Sequence, residues 1–122
     1  MRLDGEDHEE TLLEANNYAS SLVESQRFEE AMSLLRRTMP VARRVLGENH
    51  ETTLRMRWSY ANVLYKDVGA TLDGLREAVT TLEETERIAQ RVMGGAHPIT
   101  TGIEHALRES RAALRAREAS SA

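Results

Sequence analysis

The chain has 122 residues, and 16 Lys+Arg against 20 Asp+Glu leave a formal charge of −4, so no global basic field draws it to nucleic acid or an anionic membrane. It contains no cysteine, which excludes a disulfide framework and thiolate chemistry and makes the cytoplasm the default location. The length suits one small domain over residues 1–122, and plentiful Ala, Leu, Glu and Arg with two prolines and one Phe favour helices over strands.

The opening segment Met1-Arg2-Leu3-Asp4-Gly5-Glu6 is acidic and lacks the apolar run of a targeting signal. No stretch approaches the roughly 18 apolar residues of a membrane helix. From Glu9 to Ser25, residues Leu12, Ala15, Tyr18, Ala19, Leu22 and Val23 recur at the spacing of one helix face. After a short turn at Ser25-Gln26-Arg27, a second stripe of Phe28, Ala31, Leu35, Ala42, Val45 and Leu46 ends at Gly47, a residue free to take the left-handed C′ conformation. Pro40 falls inside this second helix. Its missing N–H removes a bond to the Arg36 carbonyl at a cost of about 3 kcal/mol in an unadapted helix, which predicts a kink between Thr38 and Val41 that adjusts curvature.

A third helix from Glu51 to about Val68 turns Leu54, Tyr60, Ala61 and Leu64 inward, and a fourth from Leu72 to Met93 buries Leu75, Ala78, Leu82, Ala89 and Val92. The last amphipathic stretch runs from His97-Pro98 to about Arg117, with Ile99, Ile103, Ala106, Leu107 and Leu114 on one side. The closing Ala119–Ala122 should fray.

These stretches repeat. Gly5-Glu6-Asp7-His8, Gly47-Glu48-Asn49-His50 and Gly94-Gly95-Ala96-His97 share one Gly-x-x-His frame, with successive histidines 42 and 47 residues apart. Thr11/Thr53, Leu12/Leu54, Tyr18/Tyr60, Ala19/Ala61 and Leu22/Leu64 pair at the first offset, and Ala31/Ala78, Leu35/Leu82, Thr38/Thr85, Ala42/Ala89, Val45/Val92 and Leu46/Met93 at the second. A period of this size indicates stacked helical hairpins. Repeat one covers about residues 5–46 and repeat two about 47–93, and a capping helix covers about 97–118. The five extra residues of repeat two fall near 67–74, in the turn between its helices, with an added helical turn starting near Thr71. Arg108 and Arg111 stand where earlier repeats carry Ala and Leu, as a terminal helix facing water requires.

The run His8, Asn16-Asn17-Tyr18-Ala19, Leu22, Phe28-Glu29-Glu30-Ala31, Leu35 and Val45-Leu46-Gly47 resembles the tetratricopeptide repeat in its longer, roughly 42-residue form, as found in kinesin light chains and nephrocystin-like proteins. The resemblance covers about Gly5 to Pro98. It departs at Trp58-Ser59-Tyr60-Ala61, where that family prefers Asn-Asn-Leu-Ala, at Gln26 in place of the usual turn glycine, and in keeping a His-Pro pair only at His97. What it implies is an all-α, right-handed superhelical stack of antiparallel hairpins, two repeats plus the cap, whose first helices line a concave groove that takes a peptide or a partner's helix. In that frame the groove positions are Leu13, Asn16, Ser20 and Glu24, then Arg55, Trp58, Asn62 and Lys66, then His105.

The chemistry of these residues suits such a groove. Asn16, Asn17 and Asn62 carry donors and an acceptor that can grip an extended backbone, Trp58 offers a stiff apolar anchor, and Arg55 and Lys66, joined by Arg57, can receive carboxylates. Ser20 adds a hydroxyl between them. Each has a blander alternative: an inter-helix hydrogen bond for Asn17, burial against the neighbouring repeat for Trp58, a solvated face for the cations. Glu9, Glu10, Glu14 and Glu24 make the first repeat acidic, although Glu9 and Glu10 also complement a helix dipole. Arg36, Arg37, Arg43 and Arg44 belong to the opposite, convex side.

His8, His50 and His97 occupy matching turns about 10 Å apart and cannot close on one metal. Their expected role is to bond backbone groups at the start of each first helix. Catalysis has no foundation in this sequence: it holds no Cys nucleophile, no phosphate loop and no His-Glu-x-x-His pair, and Glu29/Glu30 and Glu83/Glu84 are neighbours that point apart. The chain therefore reads as a non-catalytic protein-interaction module that needs no cofactor or metal. The alternative is structural, a self-associating segment of a longer solenoid or a regulatory scaffold, because two repeats fall below the three or so that usually stand alone.

Overall fold

The computed structural model describes residues 5–121, with side chains over residues 8–120; the acidic opening through Asp4, the side chains of Glu6 and Asp7, and Ala122 lie outside this range. Five helices follow one another: α1 (Gly5–Glu24), α2 (Phe28–Val45), α3 (Glu51–Lys66), α4 (Leu72–Met93) and α5 (Pro98–Ser121). No strand occurs among the described residues, and the chain is all-α, as the repeat predicts.

The helices form two layers. In one, α1, α3 and α5 lie side by side with α3 in the middle; in the other, α2 spans α1 and α3 while α4 spans α3 and α5. Helix α3 therefore touches all four others, and nine of its sixteen residues are buried. Its period of 3.6 residues splits its apolar side chains between two clusters. Met56, Tyr60 and Val63 join Leu12, Ala19, Leu22, Ala31, Leu35 and Ala42 of the first hairpin. Leu54 and Ala61 join Ala78, Leu82, Ala89, Ile99, Ile103 and Leu107 of the second. Ala19, Ala31, Ala61 and Ala78 are fully buried, and a methyl group at these four places lets paired helices approach closely.

Three residues assigned inward by their spacing are exposed: Tyr18 at 55%, Val92 at 47% and Val45 at 37%. Tyr18 explains the pattern. Its counterpart Tyr60 is covered because α3 has neighbours on both flanks, whereas α1 has neighbours on one. Along the outer flank of α1, residues Glu10, Glu14, Asn17 and Ser21 are exposed and polar, while their counterparts Thr52, Met56, Ser59 and Val63 in α3 are buried. On α5 the outer flank carries exposed Thr101, Arg108 and Arg111 where α3 carries Leu54, Ala61 and Leu64.

The turns obey local chemistry. α1 closes with a left-handed C′ residue, the Arg27 N–H bonding the Leu22 carbonyl at 2.8 Å and the Gln26 N–H the Val23 carbonyl at 3.0 Å. The C′ residue is Gln26, at φ +61°, in a conformation that costs an L-residue about 1–2 kcal/mol and a glycine nothing. Gln26→Gly is therefore expected to raise the urea midpoint by an amount equivalent to about 1 kcal/mol at unchanged m-value; a lower midpoint would mean that the Gln26 side chain contributes more than the backbone loses. α2 continues through Pro40 without interruption, with Glu29 and Glu30 in its first turn and Arg43 and Arg44 in its last, each of the sign its end favours.

Between α3 and α4 the turn Asp67–Thr71 is two residues longer than Ser25–Arg27, and α4 starts one turn before the counterpart of Phe28. Thr71 caps that extra turn, its hydroxyl accepting from the Gly74 N–H at 2.9 Å. α5 continues to Ser121.

Candidate functional site

The face shared by α1, α3 and α5 holds the residues that the repeat frame assigns to a groove. A pocket of about 150 Å³ opens between α1 and α3, lined by Ser20, Val23, Glu24, Ser59, Asn62 and Lys66. Four positions chosen from sequence thus meet in one place.

Asn62 gives this pocket its chemistry. Its Oδ1 is buried without a hydrogen-bond partner. An amide can turn about its last torsion, so presenting this carbonyl to the pocket sacrifices no existing bond, and an arriving N–H would satisfy it. Lys66 is exposed, its Nζ 6.0 Å from the centre of the Tyr65 ring, and it forms no ion pair among the described residues. Glu24 is exposed on the opposite wall, so the pocket has one acidic and one basic side.

Other candidates are engaged elsewhere. Asn16 is only 5% exposed, and its Oδ1 accepts from the Ser59 hydroxyl at 2.7 Å. It fastens α1 to α3, while its neighbour Asn17, one position further round the helix, is exposed. The inter-helix bond weighed for Asn17 is therefore made by Asn16. Trp58 is half-buried and lies over α5: a Cβ added at Gly102 would sit 2.6 Å from its Cζ2 and closer still to Cη2. A glycine inside a helix costs about 1 kcal/mol against alanine, and here it makes room for the indole.

The cations are rearranged likewise. Arg55 pairs with Glu51 one turn back at 3.3 Å. Arg57 does not join the groove. Its side chain is 8% exposed and donates to Glu84 of α4 at 2.8 Å, with Glu48 at 3.9 Å. On the acidic side Glu9 faces His50 at 3.6 Å, and at the far end the exposed His105 lies 3.5 Å from Glu109. Arg55 and Arg57 are thus paired with carboxylates, which leaves Lys66 as the cation at the pocket.

The histidines divide by position. His50 Nδ1 accepts from the Thr52 N–H at 3.0 Å and His97 Nδ1 from the Ile99 N–H at 3.1 Å, capping α3 and α5 as expected. His8 differs, because α1 already begins at Gly5 and places it inside the helix. No group of three His, Cys, Asp or Glu side chains among the described residues could hold a metal, and no helix there is long and apolar enough to cross a membrane.

Two phenols tie the layers together. Tyr60 donates to Glu77 at 2.5 Å and Tyr65 donates to Glu109 at 2.9 Å. Burial first, then the adjacent carboxylate, pushes both above the ordinary tyrosine value near 10, Tyr65 strongly so; for Tyr60 the nearby Arg36 offsets part of the rise. A proton held more tightly in the folded state stabilises it fully below the unfolded value and ceases to do so as pH climbs past the folded one. Unfolding free energy should therefore fall as pH rises above about 10, and Tyr65→Phe should flatten that fall. Urea titrations between pH 8 and 11.5 would measure it; an identical slope in both proteins would mean that the Tyr65 phenol is not the group responsible.

Comparison with known families supplies one match. Residues 15–52 match the tetratricopeptide repeat. The segment runs from the middle of α1 through α2 to the cap of α3, and it supports a tetratricopeptide-type repeat there. Repeats of this type generally mediate protein–protein interaction. Neither the curated proteins nor the solved structures contain a match.

The sequence did not reveal Ser59 as the partner of Asn16, nor Gly102 as the seat of Trp58. A glycine in the interior of an amphipathic helix was the one available signal for the second.

Proposed function

We propose that the α1–α3–α5 face is a groove that binds an extended segment of a partner protein, with Asn62 as the grip on its backbone. The unsatisfied Asn62 carbonyl at the pocket between α1 and α3 carries this reading. Ser20 lines the same pocket, Arg55 stands two turns away on α3, Asn17 extends the polar surface on the outer flank of α1, and Lys66 favours an acidic residue in the bound segment. Asn16 and Trp58 act from behind, holding α1 and α5 against α3. The spacing of His8 and His50 and the Asn16-Asn17 pair support the kinesin-light-chain type of repeat, and nothing in the groove is arranged for catalysis.

The outer flanks of α1 and α5, polar apart from Tyr18, favour this reading over end-to-end self-association, which needs an apolar flank to bury. A random-peptide display library provides the test. Among the peptides selected on the wild-type chain, one group should bind Asn62→Ala and Lys66→Glu about tenfold more weakly, the loss typical of one charge-assisted or buried polar contact. If no selected peptide loses affinity on either variant, the pocket is removed from the function.

A further inference from the structure

A second cavity lies on the other layer. It has a volume of about 530 Å³ and opens between α2, the end of α3 and the α3–α4 turn. Phe28 and Met32 of α2 and Val63 and Leu64 of α3 give it an apolar floor, and the lengthened turn, through Gly69 and Ala70, with Gly74 at the start of α4, forms one wall.

In a two-layer stack the second helices of adjacent hairpins could close over the helix between them. Here α2 and α4 nowhere bring their Cα atoms within 8 Å of each other, and the gap leaves Val63 and Leu64 reachable from outside. Packed interiors rarely leave voids larger than a water molecule, whereas this volume falls in the range of ligand pockets.

Four charged side chains line it, Glu29 and Asp67 together with Arg36 and Arg37. Arg36 and Arg37 both line the cavity, and neither makes an ion pair among the described residues. Arg37 bonds only the Ser33 carbonyl, at 3.4 Å, and Arg36 lies beside the Tyr60 hydroxyl. Six other arginines, Arg27, Arg43, Arg55, Arg57, Arg76 and Arg111, pair with carboxylates; Arg36 and Arg37 stand side by side at the edge of an apolar depression. Both are exposed, so they suit a ligand that stays partly in water.

We infer that this cavity is a second protein-docking site, which takes a large apolar side chain from a partner peptide while an adjacent Asp or Glu of that peptide pairs with Arg36 and Arg37. A guanidinium offers a planar fork of donors that matches a carboxylate, and the apolar floor supplies the burial. This site is independent of the α1–α3–α5 face.

The test is a random-peptide display library panned on the intact chain, followed by synthetic peptides measured against variants. Sequences that place a large apolar residue within two positions of Asp or Glu should be enriched, and those peptides should bind Arg37→Glu about tenfold more weakly and Asn62→Ala unchanged. Arg37 is exposed and unpaired, so that variant should fold; a double Arg36→Glu/Arg37→Glu variant, checked by its melting curve, should abolish binding. The inference is overturned if no acidic–apolar sequence is enriched, or if the selected peptides bind Arg37→Glu as well as wild type. Loss on Asn62→Ala alone would also overturn it, while supporting the opposite face.

Discussion

Replacing Gly102 with alanine is expected to lower the unfolding free energy by about 2 kcal/mol, a large loss for a change that adds one methyl group. In an exposed helix the same change would stabilise by up to about 1 kcal/mol through helix propensity. The sign reverses because the new Cβ would stand 2.6 Å from Trp58 Cζ2, inside van der Waals contact, and the atom it meets belongs to a rigid ring. The indole cannot yield by rotating a flexible end. Either α5 moves away from α3 or Trp58 leaves its rotamer, and each disturbs the cluster that contains Leu54, Ile99 and Ile103. Trp58→Ala should cost about 2–3 kcal/mol by itself, somewhat below the usual figure for a fully buried aromatic because the residue is only partly buried. In the double variant the two losses should not add. Its total should fall short of their sum by more than about 1 kcal/mol, since the methyl then meets no ring. Trp58 is the single tryptophan of the chain, so its fluorescence follows both the ring's surroundings and the urea transition. Additive losses would mean that the ring does not rest on Gly102.

What the sequence made legible follows from what a helix period contains. The spacing of Leu12, Ala19 and Leu22, repeated at Leu54, Ala61 and Leu64, is enough to give helices, hairpins and the small residues at their crossings. The histidine caps at His50 and His97 were equally legible, because a cap depends on residues two apart in the chain. Legibility failed wherever the answer depended on which flank of a helix has a neighbour. Tyr18 and Tyr60 occupy the same place in their repeats, yet one is exposed at 55% and the other buried at 9%, because α3 is enclosed on both sides and α1 on one. Asn16 and Asn17 differ by one helical step, about 100°, and that step decides between a bond to Ser59 and open solvent. Part of the candidate set comes together for the same reason. Ser20, Glu24, Asn62 and Lys66 share the open side of the α1–α3 contact and so meet in one pocket, while Asn16 and Trp58 point into contacts with the next helix.

Arg57 is the residue whose role the structure changes most, and its removal separates folding from binding. Arg57→Ala is expected to cost about 2 kcal/mol of stability, through the lost packing of its stem and the lost bond to Glu84 at 2.8 Å. The pair is asymmetric, with Arg57 at 8% exposure and Glu84 at 53%. Removing the arginine leaves a carboxylate that water can solvate. Removing the carboxylate leaves a guanidinium enclosed between α3 and α4, with Glu48 the nearest remaining anion at 3.9 Å. Glu84→Ala should therefore cost about as much as Arg57→Ala, although a surface carboxylate seldom matters by more than about 0.5 kcal/mol. Arg57→Met, which keeps the apolar stem and needs no partner, should lose less than about 1 kcal/mol. This order, with methionine milder than either truncation, distinguishes a buried pair from a solvated one, for which all three changes would be nearly neutral. Peptides selected on the α1–α3–α5 face should bind all three folded variants with wild-type affinity, because the guanidinium lies between layers and not in the groove. Weaker binding by Arg57→Met at unchanged stability would return Arg57 to the site.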